Sequence, residues 1–102
     1  MAKQVSIRFL IGLKDKDNYG ILTSEAELAV DKLTAVYECG GLYHGKGYWK
    51  GNEEPCMQFE TIREDSEEER AQARKLAHKL AEFLYQEGIG LVFTPVEFEV
   101  IS

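Results

Sequence analysis

The chain contains three segments in which apolar and polar residues alternate, a pattern that predicts β-strands with one buried face. These segments are residues 5–11, 56–63 and 92–101. A fourth segment, residues 42–50, is rich in aromatic residues and is interrupted by glycines, so we interpret it as a twisted or bulged edge strand. The alternation assigns the following side chains to the buried side: Val5, Ile7, Phe9, Ile11, Met57, Phe59, Thr61, Val92, Thr94, Val96, Phe98 and Val100.

Two further segments repeat apolar residues with the spacing of an amphipathic helix. The first begins at Ser24 and ends near Cys39, where a pair of glycines supplies a left-handed exit. The second begins at Ser66 and stops at Gly88. Each starts with a serine followed three residues later by a glutamate, which is the pattern of a capping box. A polar loop over residues 14–20 is expected before the first helix.

The order of these elements, β-α-β-β-α-β, defines the fold class. Right-handed crossovers place both helices on one face of a four-stranded antiparallel sheet, with the strands in the spatial order 4-1-3-2. We therefore predict an α+β, ferredoxin-like sandwich that forms a single domain over residues 1–102. A chain of 102 residues buries roughly 65% of its unfolded surface, which is enough to fold without disulfides.

The face of the sheet that the helices leave open is predicted to carry a mixed set of side chains: Arg8, Leu10, Gln58, Glu60 and Ile62. Arg8 lies on a central strand beside acidic residues of its neighbours, so a solvated face with cross-strand ion pairs is one interpretation. The other is an interface with a second copy, since symmetric association is a common way to bury such a face. The last strand is expected to add Glu97, Glu99 and Ile101.

The most unusual segment is the glycine-rich and aromatic stretch from Gly40 to Gly51. Glycine lets the backbone approach a ligand or another chain closely. Two interpretations remain open: a hairpin that only packs on the core or on a partner, and the wall of a ligand pocket. In the second, rings stack on a small aromatic ligand and lysines contact an anion. The residues expected to bind it are Tyr43, His44, Lys46, Tyr48, Trp49 and Lys50.

Three residues are candidates for catalysis. Cys56 and His44 would lie close together if the second and third strands pair, and a thiolate beside an imidazole is a nucleophile. No third group that would orient the imidazole follows from the spacing, and a small buried thiol is the alternative for Cys56. Glu60 lies in the middle of a strand beside the hairpin, where either Glu60 or His44 could act as an acid or a base.

Composition narrows the classes of partner. The first 51 residues carry seven basic and six acidic residues, and the last 51 carry five and twelve, for a net charge of −6. No basic stripe is visible, so we expect no nucleic-acid partner, whereas the acidic second half could meet a basic protein. No apolar run is long enough to span a membrane, and the two cysteines have neither redox nor zinc spacing. We expect a cytoplasmic protein with no metal and no cofactor.

Residues 40–87 also contain a helix that ends in Gly-Gly, a Gly-x-Trp hairpin, a strand that starts near a glutamate and a helix that ends in Gln-Glu. The matching residues are Gly40, Gly41, Gly47, Trp49, Glu54, Gln86 and Glu87. This pattern resembles small bacterial and phage proteins of uncharacterised function, and the resemblance implies a ferredoxin-like fold with no assigned activity. Trp49–Lys50–Gly51 is similar to a Trp-x-Gly element of the trimeric PII and CutA-type regulators.

An unusual hairpin without a complete catalytic set favours a non-catalytic binding protein that regulates, sequesters or inhibits a partner, including a host protein. We expect it to be a homo-oligomer that acts through the glycine-rich, aromatic hairpin and the adjacent sheet edge. One alternative is a small enzyme that uses Glu60 or His44 as an acid or base. It requires a concave pocket that holds at least two candidate groups within hydrogen-bond reach. The other alternative is a structural component of an assembly, which requires a large interface and no pocket.

Overall fold

The computed structural model describes residues 3–13, 23–84, 86 and 88–102, with the backbone alone at positions 23 and 49. The predicted loop over residues 14–20 lies outside these ranges. Within them, strands and helices follow the predicted order β-α-β-β-α-β. The elements are β1 (Gln4–Gly12), α1 (Thr23–Tyr37), β2 (Gly41–Trp49), β3 (Asn52–Glu64), α2 (Glu67–Phe83) and β4 (Gly90–Val96).

The strands form one antiparallel sheet in the order β2-β3-β1-β4, which confirms the predicted topology. β1 pairs with β3 along its whole length, from Gln4 opposite Glu64 to Gly12 opposite Cys56. On its other side β1 pairs with β4, so β2 and β4 are the edge strands. The helices cover one face of this sheet, and the chain has the predicted ferredoxin-like fold.

The hydrophobic core lies between the helices and the covered face of the sheet. Alternate residues of β1, from Val5 to Ile11, are fully buried, as the strand pattern predicts. The rings of Phe9, Tyr37 and Phe59 pack together with their centroids 6.0–6.4 Å apart, which ties the two central strands to the end of α1. Each large apolar side chain buried in this way contributes about 1.5–3 kcal/mol to folding. The helices complete the core with Ala26, Ala29, Leu33, Ala73, Ala77 and Leu80.

The two predicted capping boxes have different outcomes. Ser66 caps α2, since its side-chain oxygen accepts from the backbone N–H of Glu69 at 3.2 Å. The Glu69 carboxylate does not return to the cap but binds Arg63 at 2.9 Å. Ser24 lies inside α1 and donates to Glu25 Oε2 at 2.8 Å, so the first predicted capping box is wrong. A serine and glutamate at this spacing also occur within a helix, and the spacing alone does not distinguish the two cases.

The end of α1 also differs from the prediction. The helix stops at Tyr37, and the residue in the left-handed region is Glu38, with φ 66°, instead of a glycine. The Glu38 N–H donates to the Thr34 carbonyl at 2.8 Å and closes the last turn. Gly40 is required for space, because a Cβ at this position would lie 2.7 Å from the carbonyl oxygen of Glu60. Neither helix of the described residues is long and apolar enough to cross a membrane.

β2 and β3 are joined by a two-residue turn, Lys50–Gly51, in which both residues have positive φ, 51° and 81°. This is the geometry of a type I′ turn, whose twist matches that of the strands it joins. β3 begins at Asn52, directly after this turn, and includes Pro55. Pro55 lies one residue beyond the last β1 pair, where its missing N–H removes at most one hydrogen bond of the sheet.

The last strand alternates in the opposite phase to the prediction. In β4, Leu91 and Phe93 pack against the core. Val92 and Thr94 pair with residues of β1 that face away from the helices, so they lie on the open face. The prediction that Val92, Thr94 and Val96 point into the core is wrong. Because both phases of this segment contain apolar residues, the pattern did not distinguish them.

β4 is also shorter than predicted. It ends at Val96, and the residues after it belong to no strand. The expectation that Glu97, Glu99 and Ile101 alternate within the last strand is therefore wrong. Phe98 is 48% exposed and Val100 is 83% exposed, so neither belongs to the core. Pro95 next to the end of the strand removes a backbone donor from this edge.

Tyr37 is a fully buried side chain whose surroundings change its acidity. It is 1% exposed, and its hydroxyl has no hydrogen-bond partner among the described residues. The Arg63 guanidinium lies 5.5 Å from the ring centre and is bound by Glu69. Burial, followed by the negative charge of Glu69, raises the pKa of Tyr37 to about 12, while Arg63 acts in the opposite direction.

We expect this hydroxyl to lower the stability of the fold at high pH. The unfolded chain releases the proton near pH 10 and the folded chain keeps it to about pH 12. The free energy of unfolding therefore falls between these values by about 1.4 kcal/mol per pH unit. Between about pH 8 and about pH 11, Tyr37→Phe should lose less stability than the wild-type protein, as measured by urea unfolding. Tyr48→Phe, at a tyrosine that is 72% exposed, is the control. Equal losses in both variants would contradict this prediction.

Candidate functional site

The open face of the sheet contains a cavity of about 230 Å³ over β1. The segment that follows β4 forms one side of it, through Glu97 and Phe98. A few polar groups within a largely apolar lining are the usual form of a small-molecule site. The remaining lining residues come in pairs from three strands: Ser6 and Arg8 from β1, Glu60 and Ile62 from β3, and Thr94 and Val96 from β4.

The register of the central strands brings the polar residues of this cavity together. Arg8 lies opposite Glu60 on β3, and Ser6 lies opposite Thr94 on β4. Residues that pair across antiparallel strands project to the same face, with their Cβ atoms about 4.5–5.5 Å apart. A cation, a carboxylate and two hydroxyls therefore share one small area of the open face.

Glu60 is held in place by a serine. Ser6 Oγ donates to Glu60 Oε2 at 2.7 Å, and Ser6 is only 3% exposed. Hydrogen bonds to a charged acceptor are stronger than those between neutral groups, and this one is short. One carboxylate oxygen is fixed by this bond, and the second oxygen of Glu60 remains an acceptor for a ligand.

Arg8 is half-buried beside this pair. Its Nη2 donates to Thr94 Oγ1 at 3.3 Å, and its Nε is buried without a hydrogen-bond partner among the described residues. A buried donor without an acceptor costs about 1–3 kcal/mol and is uncommon in native proteins. The guanidinium is therefore a positively charged donor that an anion bound in the cavity could satisfy.

A second cavity, of about 390 Å³, adjoins the first. The two share residues 96–98, so the segment after β4 is a wall of both. The Phe98 N–H donates to Gln4 Oε1 at 3.1 Å, which holds this segment against β1. Asp65 also lines the second cavity, where a hydrogen bond from Arg70 at 2.9 Å lowers its pKa.

The structure does not bring the three predicted catalytic residues together. Glu60 lies in the open-face cavity. His44 pairs with Met57, a core residue, and so projects to the covered side of the sheet, whereas Cys56 pairs with Gly45 and projects to the open side. The predicted thiolate–imidazole pair is not formed, because adjacent strand positions alternate between faces. Among the described residues, no group of three His, Cys, Asp or Glu side chains is placed to hold a metal ion.

The hairpin residues predicted to bind a ligand do not form one wall. The alternation of β2 places Tyr43 on the open side, and it places His44, Lys46 and Tyr48 on the other. Lys46 binds Glu53 at 3.3 Å, and both side chains are exposed. The rings and cations expected to act on one ligand are therefore divided between the two faces.

Lys50 and Trp49 lie at the tip of the hairpin. Lys50 is in the turn, and the predicted stacking role of the Trp49 side chain lies outside the described part of the chain. None of the described hairpin residues predicted to bind a ligand lines either cavity. The polar cluster of the open face is therefore built from other residues than the hairpin.

The five residues predicted for an interface all lie on the open face: Arg8, Leu10, Gln58, Glu60 and Ile62. Three of them line the first cavity. Ser6, Thr94 and Val96 were not among the expected site residues. Ser6 shares the strand phase of Arg8, so the alternation of β1 contained the signal for it. Thr94 and Val96 were missed because the phase of the last strand was assigned wrongly.

Two solved structures share this architecture. A phage SAM lyase in complex with S-methyl-5′-thioadenosine matches with a TM-score of 0.60 and 19% identity, over 98% of this chain and 95% of that chain. A phage SAM lyase in the apo state matches with a TM-score of 0.52 and 19% identity, over 96% of this chain and 94% of that chain. No protein-family model and no curated protein matches the sequence significantly. At this identity, the likeness shows a shared fold.

These matches contradict the preference for a non-catalytic binding protein, because both solved structures are of an enzyme. They agree better with the enzyme alternative. The preference rested on the lack of a catalytic set at recognisable sequence spacing, and a cavity assembled from three strands has no such spacing. The expected likeness to small phage proteins of ferredoxin-like fold agrees with both matches.

We expect Ser6→Ala to lower the free energy of unfolding by about 1–3 kcal/mol, because it leaves a half-buried carboxylate without its donor. Ser24→Ala is a matched control, since it removes a serine–glutamate bond of similar length, 2.8 Å, from an exposed helix surface. Its effect should stay within about 0.5 kcal/mol. Urea unfolding measures both variants. Equal effects would show that the Ser6 bond does not hold Glu60 in the folded protein.

Proposed function

We propose that this protein is an enzyme that cleaves S-adenosylmethionine and releases S-methyl-5′-thioadenosine without adding water. The main support is the arrangement of charges in the open-face cavity. That cavity lies on a fold shared with a phage SAM lyase, one structure of which holds S-methyl-5′-thioadenosine. The geometry of this chain allows the proposal to be argued group by group.

The charges of the cavity complement those of S-adenosylmethionine. The substrate has one anionic group, its α-carboxylate, and two cationic groups, its ammonium and its sulfonium. The cavity is lined by one cation, Arg8, and by two anions, Glu60 and Glu97. Apolar surface for the rest of the substrate comes from Ile62 and Phe98. A cleft with complementary charges both attracts such a ligand and fixes its orientation.

The two adjoining cavities offer room for the two ends of the substrate. Their volumes are about 230 and 390 Å³, and ligand sites typically measure about 300–1,000 Å³. We assign the aminobutyryl end to the first cavity, which contains Arg8 and Glu60. The nucleoside then lies toward the second cavity, across the segment formed by residues 96–98.

The proposed cleavage breaks the bond between the sulfonium sulfur and the γ-carbon of the aminobutyryl group. The bonding electron pair stays on sulfur, which becomes the neutral thioether of S-methyl-5′-thioadenosine. One oxygen of the substrate's own α-carboxylate forms the new bond to the γ-carbon, so the second product is homoserine lactone. Atoms and electrons balance, and no proton is transferred.

For this reaction the protein has to position groups and exclude water. The carboxylate and the sulfonium lose their opposite charges together as the reaction proceeds. The attraction between these two charges strengthens when water leaves the site, because the effective dielectric constant falls. Holding the attacking oxygen about 3–3.5 Å from the γ-carbon supplies much of the acceleration. In this scheme Glu60 binds the ammonium group of the substrate. The charge of this ammonium group is the same before and during the reaction.

Incubation of the purified protein with S-adenosylmethionine tests the activity, with both products identified by chromatography and mass spectrometry. We expect equal amounts of S-methyl-5′-thioadenosine and homoserine lactone. Release of 2-aminobut-3-enoate in place of the lactone would contradict attack by the carboxylate, since it is the product of an elimination. If the protein neither turns over S-adenosylmethionine nor binds S-methyl-5′-thioadenosine, the proposed function is contradicted.

Glu60→Gln should raise the KM for S-adenosylmethionine by about 10- to 100-fold, because a hydrogen bond to a charged group contributes about 1.5–3 kcal/mol. The kcat should change by less than about threefold, since the lost contact binds substrate and transition state alike. The glutamine still offers an oxygen to Ser6. Glu64→Gln, at an exposed position of the same strand, should leave both constants unchanged. A loss in kcat alone would assign Glu60 to the chemical step.

We also propose that the chain self-associates through the part of the open face next to the hairpin. Leu10, Gln58 and Tyr43 form a row across three strands in register, and Leu10 and Tyr43 are 40% and 55% exposed. Native mass spectrometry should show a discrete oligomer that Leu10→Asp dissociates. Leu28→Asp, at a leucine of α1 that is 52% exposed, should leave it intact. A monomeric wild-type chain would contradict the proposal.

A further inference from the structure

Arg8 is the single cation among the described residues that line the open-face cavity. It lies on a central strand, paired with Glu60 on one side and with Val92 on the other. Glutamates supply the other charges of the lining. An anionic group that enters this cavity therefore has one attractive partner, and that partner is the Arg8 guanidinium.

The donors of Arg8 are only partly used within the protein. Nη2 donates to Thr94 Oγ1 at 3.3 Å, which fixes the orientation of the guanidinium plane. Nε is buried and has no acceptor among the described residues. The carboxylate that faces Arg8 across the strands, Glu60, accepts from Ser6 at 2.7 Å. The guanidinium is therefore a charged donor group at the cavity whose hydrogen-bonding capacity the described residues use only in part.

We propose that Arg8 binds the α-carboxylate of S-adenosylmethionine and thereby selects ligands that carry this group. The inference rests on the proposed function and assigns one end of the substrate to one residue. A planar guanidinium binds a carboxylate in a defined geometry, which a mobile ammonium does not. A carboxylate held by the guanidinium is fixed in orientation, so one of its oxygens can be directed at the γ-carbon.

A structural ion pair with Glu60 is the competing role for Arg8. It predicts a loss of stability in an Arg8 variant with no change in which ligands the protein prefers. Carboxylate binding predicts that the ligand preference changes in an Arg8 variant. The affinity for a ligand that lacks the carboxylate should stay the same. The two roles are separated by ligands that do not react and that differ in the carboxylate alone.

Two such ligands are S-adenosylhomocysteine and its decarboxylated analogue. S-methyl-5′-thioadenosine, which lacks the whole aminobutyryl group, is the reference ligand, and calorimetric titration measures the binding of all three. The wild-type protein should bind S-adenosylhomocysteine about 10- to 100-fold more tightly than the decarboxylated analogue. In Arg8→Gln this preference should disappear, while the Kd of S-methyl-5′-thioadenosine stays within about threefold. Arg8→Lys, which keeps the charge but not the planar group, should restore part of the preference.

Arg74→Gln is the control, because Arg74 is an exposed arginine whose guanidinium lies 5.4 Å from the Phe93 ring on the covered side of the sheet. It should keep the full preference. If Arg8→Gln does not fold, Arg8→Lys replaces it, and the wild-type protein is still tested with S-adenosylhomocysteine and its decarboxylated analogue. Equal affinities there would overturn the inference.

Failure of the inference and failure of the proposed function give different results. If the wild-type protein forms S-methyl-5′-thioadenosine but binds ligands with and without the carboxylate equally, the function stands and the role of Arg8 is overturned. The same holds if Arg8→Gln weakens all three ligands alike. If the wild-type protein neither binds nor forms S-methyl-5′-thioadenosine, the function and the inference are both overturned.

Discussion

The structure depends on the register of β1, the strand that is paired on both sides. Alternate residues of this strand, from Val5 to Ile11, fill the core, and two of the three residues between them, Ser6 and Arg8, form the centre of the cavity. A shift of one residue would exchange the two sets and put a guanidinium into the core. The burial of four apolar side chains therefore also fixes the polar site on the opposite face, because both are properties of one register.

The same constraint explains why the polar groups of the cavity can be rigid without a large network. Ser6 and Glu60 are anchored on central strands, and their hydrogen bond spans neighbouring pairs of the sheet. Thr94, on the edge strand β4, orients the Arg8 guanidinium by accepting a hydrogen bond from it. Side chains that start from paired strands lose little additional freedom when they bind a ligand, so the cost of ordering them is met during folding.

The fold could be predicted from the sequence where one interpretation of the pattern was much better than the others. β1 has an apolar residue at every second position from Val5 to Ile11, and its buried face was predicted correctly. In the last strand both phases contain apolar residues, and the packing of Phe93 against the core decides between them. The two serines at helix starts show the same limit, since Ser66 caps its helix and Ser24 does not, at equal spacing from a glutamate. Local patterns therefore predicted the elements, and tertiary contacts determined their phase and ends.

The site itself is less visible in the sequence, for a chemical reason. Its polar groups are ordinary residues, and Ser6 is separated from Glu60 by 54 positions and Arg8 from Thr94 by 86. Catalytic motifs are recognised because a nucleophile, a base and an orienting group recur at fixed spacing. In the proposed reaction the substrate supplies its own nucleophile and no proton moves, so the protein needs neither an activated residue nor a base. A cavity that only positions charges can be built from any three adjacent strands, and it becomes recognisable only when the register has brought those charges together.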